Sequence, residues 1–566
     1  MRQVEIVLGC AALMCGVTAY GTPAVPGVGS PCVTVDYSKT VGKLRPELHS
    51  SGWTPRSTNH SQKQSPDIEI VKSMGFKAAR THDWAANALF NGEAVEVVFG
   101  GEPSAASGPT KVMFFFDTED FTCDESSDAI RETAKILTEE GIRGEYNVVG
   151  YLARELVRLN RRDVIEALKP HAIGTQTLKH SVHPTVCERS DMADYETAYR
   201  NVLADESEGV GMLKAAFGLQ HVDYAVPPGN SWSYASLYAF ADLGMTFYGG
   251  GGFGEMGDQK DASEGLIPPG LRRWGLWYCN LLQLPYGHVM PLEELIPGGA
   301  GWKLPDFDKV LEQAAKRDFM VFALHPHMAI KTQHWDGPNY LGHNRVEWGK
   351  WIQVPDRPAK DTAAFYRNFR AFVRRIKSDS RFEVTDTFKE KSRLKPRVTI
   401  RLSDVPAIRR SLGKDFGAVS DPASWCLYDV FQAVAAFLRG EKTYVPGKAY
   451  GFLNRAEGVA KPTKIRVEDL RAAAANLPRT GFLPSSIKVG EAMIGPRDFL
   501  SAGLEVLETN QATALVLPCD QLGSFANCPS LKTVDIKGGW CIHSPAMDGK
   551  LLDERLKLQL WTLRYE

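Results

Sequence analysis

The sequence has no excess of charge of either sign, because its 66 Lys and Arg residues nearly balance its 67 Asp and Glu residues. Proteins that bind nucleic acid or anionic membranes usually carry a clear basic excess or a basic patch. The balance therefore argues against a nucleic-acid partner and against a polybasic membrane protein. It favours a substrate that is neutral or weakly charged.

Long apolar runs are also missing beyond the N-terminus, and no stretch there approaches the roughly 20 residues of a membrane-spanning helix. Residues 1–21 have the pattern of a secretory signal peptide, with Arg2, an apolar stretch at 6–17 and small residues at 19–21. A lipoprotein cleavage box at Cys10 is an alternative, although the apolar run before it is short. The mature chain is expected to be secreted or periplasmic, with no transmembrane segment beyond the signal.

Cysteine pairs with CxxC spacing, which mark zinc knuckles, do not occur among the cysteines that follow the signal. Their even number permits disulfides in an exported protein. The pairing expected first is among Cys519, Cys528 and Cys541, and isolated buried thiols are an equal alternative.

The strongest pattern that is present is the stretch 111–120, KVMFFFDTED. Its five apolar residues, 112–116, suit a central strand that is buried on both faces. Asp117, Glu119 and Asp120 follow at the carboxyl end, where α/β sheets place their ligands. Buried carboxylates are costly unless their charge is compensated, and a bound metal ion commonly does this. The stretch therefore predicts a ligand site at the end of this strand.

Strand and helix patterns alternate after this stretch, as a parallel sheet or barrel requires. The helix Tyr195–Phe217 is expected to break near Gly209 and Gly211, because glycine disfavours a helix interior. Further strands are predicted at 144–149, 172–175, 222–226, 245–248, 281–284 and 319–324. The domains predicted are a signal peptide at 1–21, an N-terminal segment and linker at 22–110, an α/β domain at 111–395 and a helical module at 396–566.

The 13 histidines are unevenly distributed, with three in the stretch 171–183 and four in the stretch 325–343. His180 and His183 are spaced so that both imidazoles can reach one divalent ion, and a carboxylate from 117–120 could complete the set. The alternative is that His180 caps the next segment and that His183 is exposed. The spacing alone leaves both open.

Four motifs, taken in order, resemble those of the polysaccharide deacetylase family (carbohydrate esterase family 4). They are DTED after a Phe run, GTQTLKHSVHP, VPPGNSW and FALHPH. The resemblance implies an α/β fold, a distorted (β/α)7-type barrel, and a divalent metal, often zinc, that makes water more acidic. The expected function is a secreted metal-dependent hydrolase of non-peptide C–N amide bonds. Its expected partner is a carbohydrate substrate, an N-acetylated polysaccharide or oligosaccharide that it deacetylates.

The resemblance gives each matching position a role. Asp117 is the base, and His325 is the late acid that protonates the leaving amine. The acidic metal ligand is Glu119 or Asp120. The histidines expected to hold the metal are His180 and His183, and the residues expected to line the sugar groove are Pro228, Gly229 and Trp232.

Two departures from the family pattern bear on activity. His180 and His183 are one residue closer together than the usual metal pair, and Val226 stands where the family has an arginine that orients the base. The alternative function is therefore a catalytically impaired deacetylase fold that binds glycan. A glycosidase is a more distant alternative, suggested only by the stretch 76–84, FKAARTHDW.

Overall fold

The computed structural model describes residues 50–51, 78–79, 88–89, 108–229, 231–249, 275–284, 290–299, 301–413, 416–417, 419, 422–523, 525 and 542–566. The predicted signal peptide and most of the predicted N-terminal segment lie outside these residues. The chain divides into two compact units, Met1–Glu102 and Pro103–Glu566. In the first unit, β1 (Ser50–Ser51) pairs in parallel with β2 (Ala78–Ala79), and β2 pairs antiparallel with β3 (Ala88–Leu89).

The second unit is a mixed α/β fold built on a curled sheet that forms half of a barrel, so the predicted fold class is confirmed. Its strands are β4 (Thr110–Thr118), β5 (Glu145–Val148), β6 (Ala172–Thr175), β7 (Tyr224–Ala225), β8 (Phe247–Gly249), β9 (Leu276–Tyr278), β10 (Leu281–Leu284), β11 (Phe319–Leu324), β12 (Phe382–Val384) and β19 (Arg564–Tyr565). The strand order is β11-β4-β5-β6-β7-β8-β10-β9-β19, with β12 paired beside β4.

Strand β4 is central because it has strand neighbours on both edges and apolar packing on both faces. Phe114 and Phe116 belong to the large core, whereas Met113 and Phe115 belong to a second core with residues of β6, β7, β8, β10 and β11. This alternation follows from the two-residue period of a strand. The uninterrupted apolar run in the sequence therefore gives a strand that is buried on both sides.

Helices of the second unit pack around the sheet, and none of the described helices combines the length and the apolar character that a membrane span requires. The α-helices are α1 (Ser126–Glu139), α2 (Gly150–Arg158), α3 (Arg162–Leu168), α4 (Val186–Ser190), α5 (Tyr195–Phe217), α6 (Tyr234–Asp242), α7 (Phe307–Ala314), α8 (Ala359–Lys377), α9 (Thr387–Arg393), α10 (Val405–Leu412), α11 (Leu427–Leu438), α12 (Val467–Asn476), α13 (Pro496–Thr509) and α14 (Lys550–Lys557). Short 3-10 helices cover Leu292–Leu295, Pro326–Ala329, Leu402–Asp404 and Leu560–Thr562.

The part of the chain after residue 395 belongs to the same compact unit as the sheet. Strand β19 pairs antiparallel with β9, and the Tyr278 hydroxyl donates a 2.6 Å hydrogen bond to the Leu556 carbonyl. The helical part also contains short two-stranded sheets: β13 (Ile400–Arg401) with β14 (Thr443–Tyr444), β15 (Thr463–Arg466) with β18 (Thr513–Val516), and β16 (Ile487–Val489) with β17 (Ala492–Ile494).

The cysteines in the described residues carry free thiols. Cys528 and Cys541, two members of the disulfide group expected from the sequence, lie outside the described residues. Cys519, the third member, is exposed, whereas the others are buried: Cys123, Cys187, Cys279 and Cys426.

Helix α5 runs unbroken through Gly209 and Gly211, so the expected break does not occur. Gly209 is buried, and a Cβ atom there would lie 2.9 Å from the Leu178 Cα atom. Leu178 belongs to the turn that leads from β6 to His180. The glycine therefore serves close packing of the helix against this turn, and the gain from packing outweighs its low helix propensity.

The two glycines form a matched pair for a stability test. Gly209→Ala should destabilise the protein by about 1–3 kcal/mol, because the added methyl group overpacks against backbone. Gly211→Ala should stabilise it by about 0.5–1 kcal/mol, because Gly211 has no atom within 4 Å of a Cβ and only the helix propensity changes. Urea unfolding of both variants measures the difference. Equal effects would show that α5 does not approach Leu178 this closely.

Candidate metal centre

The register of three neighbouring strands brings the polar residues at their ends together. Leu324 of β11 pairs with Phe116 of β4, so that His325 follows beside Asp117. On the other edge of β4, Asn147 of β5 pairs directly with Asp117. Because parallel strands end at the same edge of a sheet, the carboxyl ends form one rim.

Asp117 lies on this rim, and each oxygen of its carboxylate has a close polar neighbour. Its Oδ1 atom accepts a 2.8 Å hydrogen bond from Asn147 Nδ2, and its Oδ2 atom is 3.7 Å from His325 Nε2. Val226, which stands at the position of the family arginine, is buried in the second core with Phe115. Asn147 supplies a hydrogen bond that orients Asp117.

Glu119 is the carboxylate around which the imidazoles gather. Its Oε2 atom is 2.5 Å from His180 Nε2, and both side chains are almost fully buried. Burial acts to raise the pKa of Glu119, but the charge and hydrogen bond of His180 outweigh it and hold that pKa well below its usual value. The other oxygen, Oε1, lies within 4.0 Å of one ring nitrogen from each of three histidines, His325, His327 and His334.

His325 is fixed by a carboxylate that the sequence did not reveal. Glu293, on the 3-10 helix Leu292–Leu295, accepts hydrogen bonds of 2.8 Å from the backbone N–H of His325 and from its Nδ1 atom. Burial acts to lower the pKa of His325, but the Glu293 hydrogen bond and the nearby Glu119 outweigh it and raise that pKa to about 10. The Nε2 atom is thereby directed at Asp117 and Glu119.

Three of these side chains could hold a metal ion: the ligand atoms of Glu119, His325 and His334 lie within 4.8 Å of one another. One carboxylate and two imidazoles are a donor set that suits zinc and other divalent transition metals, whereas calcium and magnesium prefer oxygen ligands. The residues present therefore fit the metal that the motifs imply. His334, which supplies one of the imidazoles, was not predicted from the sequence as a ligand.

His180 stands between two buried carboxylates. Its Nε2 atom contacts Glu119, and its Nδ1 atom is 3.8 Å from Asp336 Oδ2. His180 and Thr177 adopt the left-handed backbone conformation, with φ of 51° and 70°, which is uncommon for residues with a side chain. The turn after β6 therefore aims His180 at Glu119, and its predicted role as a metal ligand stays a prediction.

Two predicted metal ligands are not brought to the imidazole cluster. Both ring nitrogens of His183 are engaged elsewhere: Nδ1 lies 2.7 Å from Glu188 Oε2, and Nε2 lies 3.0 Å from the Tyr340 carbonyl. Asp120 accepts hydrogen bonds from the Ser126 hydroxyl at 2.5 Å and from the hydroxyl and backbone N–H of Thr122. Asp120 thus secures the start of α1, and Glu119 is the acid that faces the histidines.

His183→Ala tests this assignment directly. We expect zinc affinity to stay within about twofold of the parent, because His183 contributes no ligand atom to the cluster. The stability should fall by about 1–3 kcal/mol, because the partly buried Glu188 loses a hydrogen-bond partner. Competition with a chromophoric chelator measures the affinity. A tenfold or larger loss of zinc affinity would support the role of His183 as a metal ligand, as predicted from the sequence.

The predicted sugar-binding residues do not form an open platform. Trp232 is 1% exposed, so its ring offers no face to a sugar, and Pro228 is also buried. Gly229 is partly exposed and has a φ of 52°, which permits the sharp turn after β7. The apolar character that made Trp232 attractive for stacking instead places it in the large core.

An aromatic cluster holds the segment that carries His334 and Asp336. Trp335 packs edge-on against Phe121 at 4.7 Å between ring centroids and lies 5.6 Å from His180. Trp351 Nε1 donates a 2.8 Å hydrogen bond to the Tyr340 hydroxyl in the same segment. Trp335 is fully buried, so this stretch builds a wall of the site by packing.

No protein-family model and no curated protein matches this sequence. Similar solved structures include a Mycobacterium smegmatis protein described as a polysaccharide deacetylase, with 15% identity, 53% of this chain and 96% of that chain covered, and a TM-score of 0.32. They include a 4-alpha-glucanotransferase from Thermococcus litoralis, with 12% identity, coverages of 58% and 45%, and a TM-score of 0.35. They also include a pseudoenzyme of carbohydrate esterase family 4 from Bacillus anthracis, with 12% identity, coverages of 40% and 58%, and a TM-score of 0.22.

Polysaccharide deacetylases and members of carbohydrate esterase family 4 are thus among the solved structures similar to this chain, in line with the resemblance of its motifs. Likeness at these TM-scores carries no argument about activity.

Proposed function

We propose that the chain is a metal-dependent hydrolase of non-peptide C–N amide bonds that deacetylates an N-acetylated polysaccharide or oligosaccharide outside the cytoplasm. The observation that carries the proposal is the meeting of Asp117 with Glu119, His325 and His334 on one rim of the sheet. The resemblance of the four motifs to polysaccharide deacetylases supports the choice of substrate. The nitrogen-rich donor set supports zinc as the metal.

The residues that would hold the ion are Glu119, His325 and His334. A divalent ion held there would supply Lewis-acid chemistry, polarising the acetyl carbonyl and making water a stronger acid. Glu293 would fix the ring of His325 from behind, as carboxylates commonly do for metal-binding histidines.

Asp117 moves the proton in this proposal. Its Oδ2 atom accepts a proton from the attacking water while the water oxygen bonds to the acetyl carbon. When the C–N bond breaks, the same carboxyl group returns the proton to the leaving nitrogen, so water and amide become acetic acid and amine. A proton then passes from the acid to the amine, which gives acetate and ammonium. Asn147 keeps Oδ1 in place during both transfers. The motifs assign the second transfer to His325, but a His325 that held the ion would not be free to donate this proton.

Access to the site is from the side of His325 and His334. Their side chains are 25% and 20% exposed, whereas the side chain of Glu119 is 2% exposed. The carboxylate is therefore shielded from bulk water, which strengthens its electrostatic interactions. An acetyl group would enter beside the two imidazoles.

The proposal is tested by metal analysis together with product analysis. The purified protein should contain about one equivalent of a divalent transition metal and should release acetate and free amine in equal amounts from chitin oligomers. Removal of the metal by a chelator should stop release, and added zinc or cobalt should restore it.

Absence of both stoichiometric metal and acetate release would contradict the proposal for these substrates. A measured affinity for the same oligomers would then favour the impaired glycan-binding alternative. If the protein contains stoichiometric metal but releases no acetate, the proposed metal centre is supported and the proposed reaction on chitin oligomers is rejected.

A further inference from the structure

Three imidazoles face a single oxygen of Glu119 at nearly equal distances. The Oε1 atom is 3.9 Å from His325 Nε2, 3.9 Å from His327 Nδ1 and 4.0 Å from His334 Nδ1. The rings are steeply inclined, with centroid distances of 6.0 Å for His325 and His327, 4.9 Å for His325 and His334, and 5.1 Å for His327 and His334. They therefore do not stack, and each presents a nitrogen-bearing edge to the carboxylate.

His327 is the member of this group that no role explains so far. Its side chain is 2% exposed, and neither ring nitrogen has a hydrogen-bond partner among the residues that the structure describes. A buried polar group without a partner is destabilising, so its retention calls for a ligand. The ring is also rigidly placed, because Pro326–Ala329 forms a 3-10 helix directly after β11.

We propose that His327 is a further ligand of the metal centre, which then consists of three imidazoles and the Glu119 carboxylate. This proposal rests on the metal centre of the proposed function. All three imidazoles come from the end of β11 and the segment that follows it. Such a set selects divalent ions that accept nitrogen ligands, such as zinc, cobalt or nickel.

His180 has a different position in this arrangement. It contacts Oε2, the oxygen of Glu119 that faces away from the three imidazoles, and its second nitrogen faces Asp336. It therefore orients Glu119 from behind, as outer partners of metal ligands do. This explains why an imidazole so close to the carboxylate need not be a ligand.

The test compares the full-length parent protein with His327→Ala and with His327→Gln, which better preserves the volume. His343→Ala is the matched control, because His343 is exposed in the same segment. Zinc affinity is measured by competition with a chromophoric chelator, and the cobalt-loaded protein is examined by visible absorption. Both His327 variants should lose at least about tenfold in zinc affinity and change the cobalt spectrum, whereas the control should match the parent. Circular dichroism without metal confirms that each variant is folded.

Three outcomes decide between the proposals. If the His327 variants keep parental affinity and spectrum while His325→Ala loses the metal, His327 is not a ligand and the proposed hydrolase is unaffected. If the His327 variants lose the metal but the parent releases no acetate from chitin oligomers, the ligand assignment is supported and the reaction is rejected. If the parent binds no zinc or cobalt, both proposals are overturned.

Discussion

Glu119→Gln should abolish stoichiometric metal binding and reduce acetate release to background. The substitution keeps the size of the side chain and removes the negative charge of Glu119, whose Oε1 atom lies within 4.0 Å of three imidazoles. Outer partners of metal ligands alone account for about 10–100-fold in affinity, so loss of this carboxylate should cost at least about 100-fold. Metal content after dialysis and zinc affinity by competition measure the effect.

Asp120→Asn is the matched control for Glu119→Gln, because it neutralises the adjacent buried carboxylate. Asp120 accepts hydrogen bonds from Thr122 and Ser126, so this change should lower the stability of the protein by about 1–3 kcal/mol. The metal stoichiometry should stay unchanged. The reverse pattern, with metal lost only from the Asp120 variant, would exchange the roles of the two acids.

Asp117→Asn should reduce kcat by about 10²–10⁴-fold while the protein keeps its metal. An asparagine has nearly the same shape, but it cannot accept the proton of the attacking water. Asn147 Nδ2 would still find an oxygen acceptor after rotation of the new amide, so the strand ends should keep their structure. Initial rates of acetate release and metal content, measured on the same preparation, separate the two effects.

Asn147→Leu provides a second measurement for the role of Asp117. It removes the hydrogen bond that orients the carboxylate and leaves the carboxylate itself in place, so kcat should fall by a smaller factor, about tenfold. Full activity in Asp117→Asn would show that another group accepts the proton. Loss of metal from that variant would make Asp117 a ligand instead of a base.

The sequence predicted much of the sheet because the apolar runs have sharp polar borders. Strands β6, β10 and β11 begin and end at the predicted residues, and helix α5 does as well. The predicted break in α5 was wrong, because the local propensity of glycine is a weaker signal than the close packing at Leu178. Packing of this kind joins segments that are distant in sequence, and no local pattern reports it.

The candidate site was predicted in part. The acids at 117–119 and His325 could be predicted because they follow buried strands directly, and strand ends meet at one edge. His183 and Trp232 illustrate the limit, since spacing does not reveal the direction of a side chain in a turn. Glu293 and His334 lie outside regular strands, and no sequence pattern marks them as residues of the site. Asn147 could have been found, because it is a polar residue near the end of β5, which pairs with β4.

The pairing of β4 with β11 links metal binding to folding. Glu119 follows β4 and the three imidazoles follow β11, so the ligands meet only when these two strands, which are distant in sequence, have formed their parallel register. An unfolded chain has no preformed site, and the binding energy therefore adds to the stability of the native state. At a free metal concentration of 100 times Kd, this contribution is about 2.7 kcal/mol. Metal supply would then set the fraction of the protein that is folded, independently of any turnover.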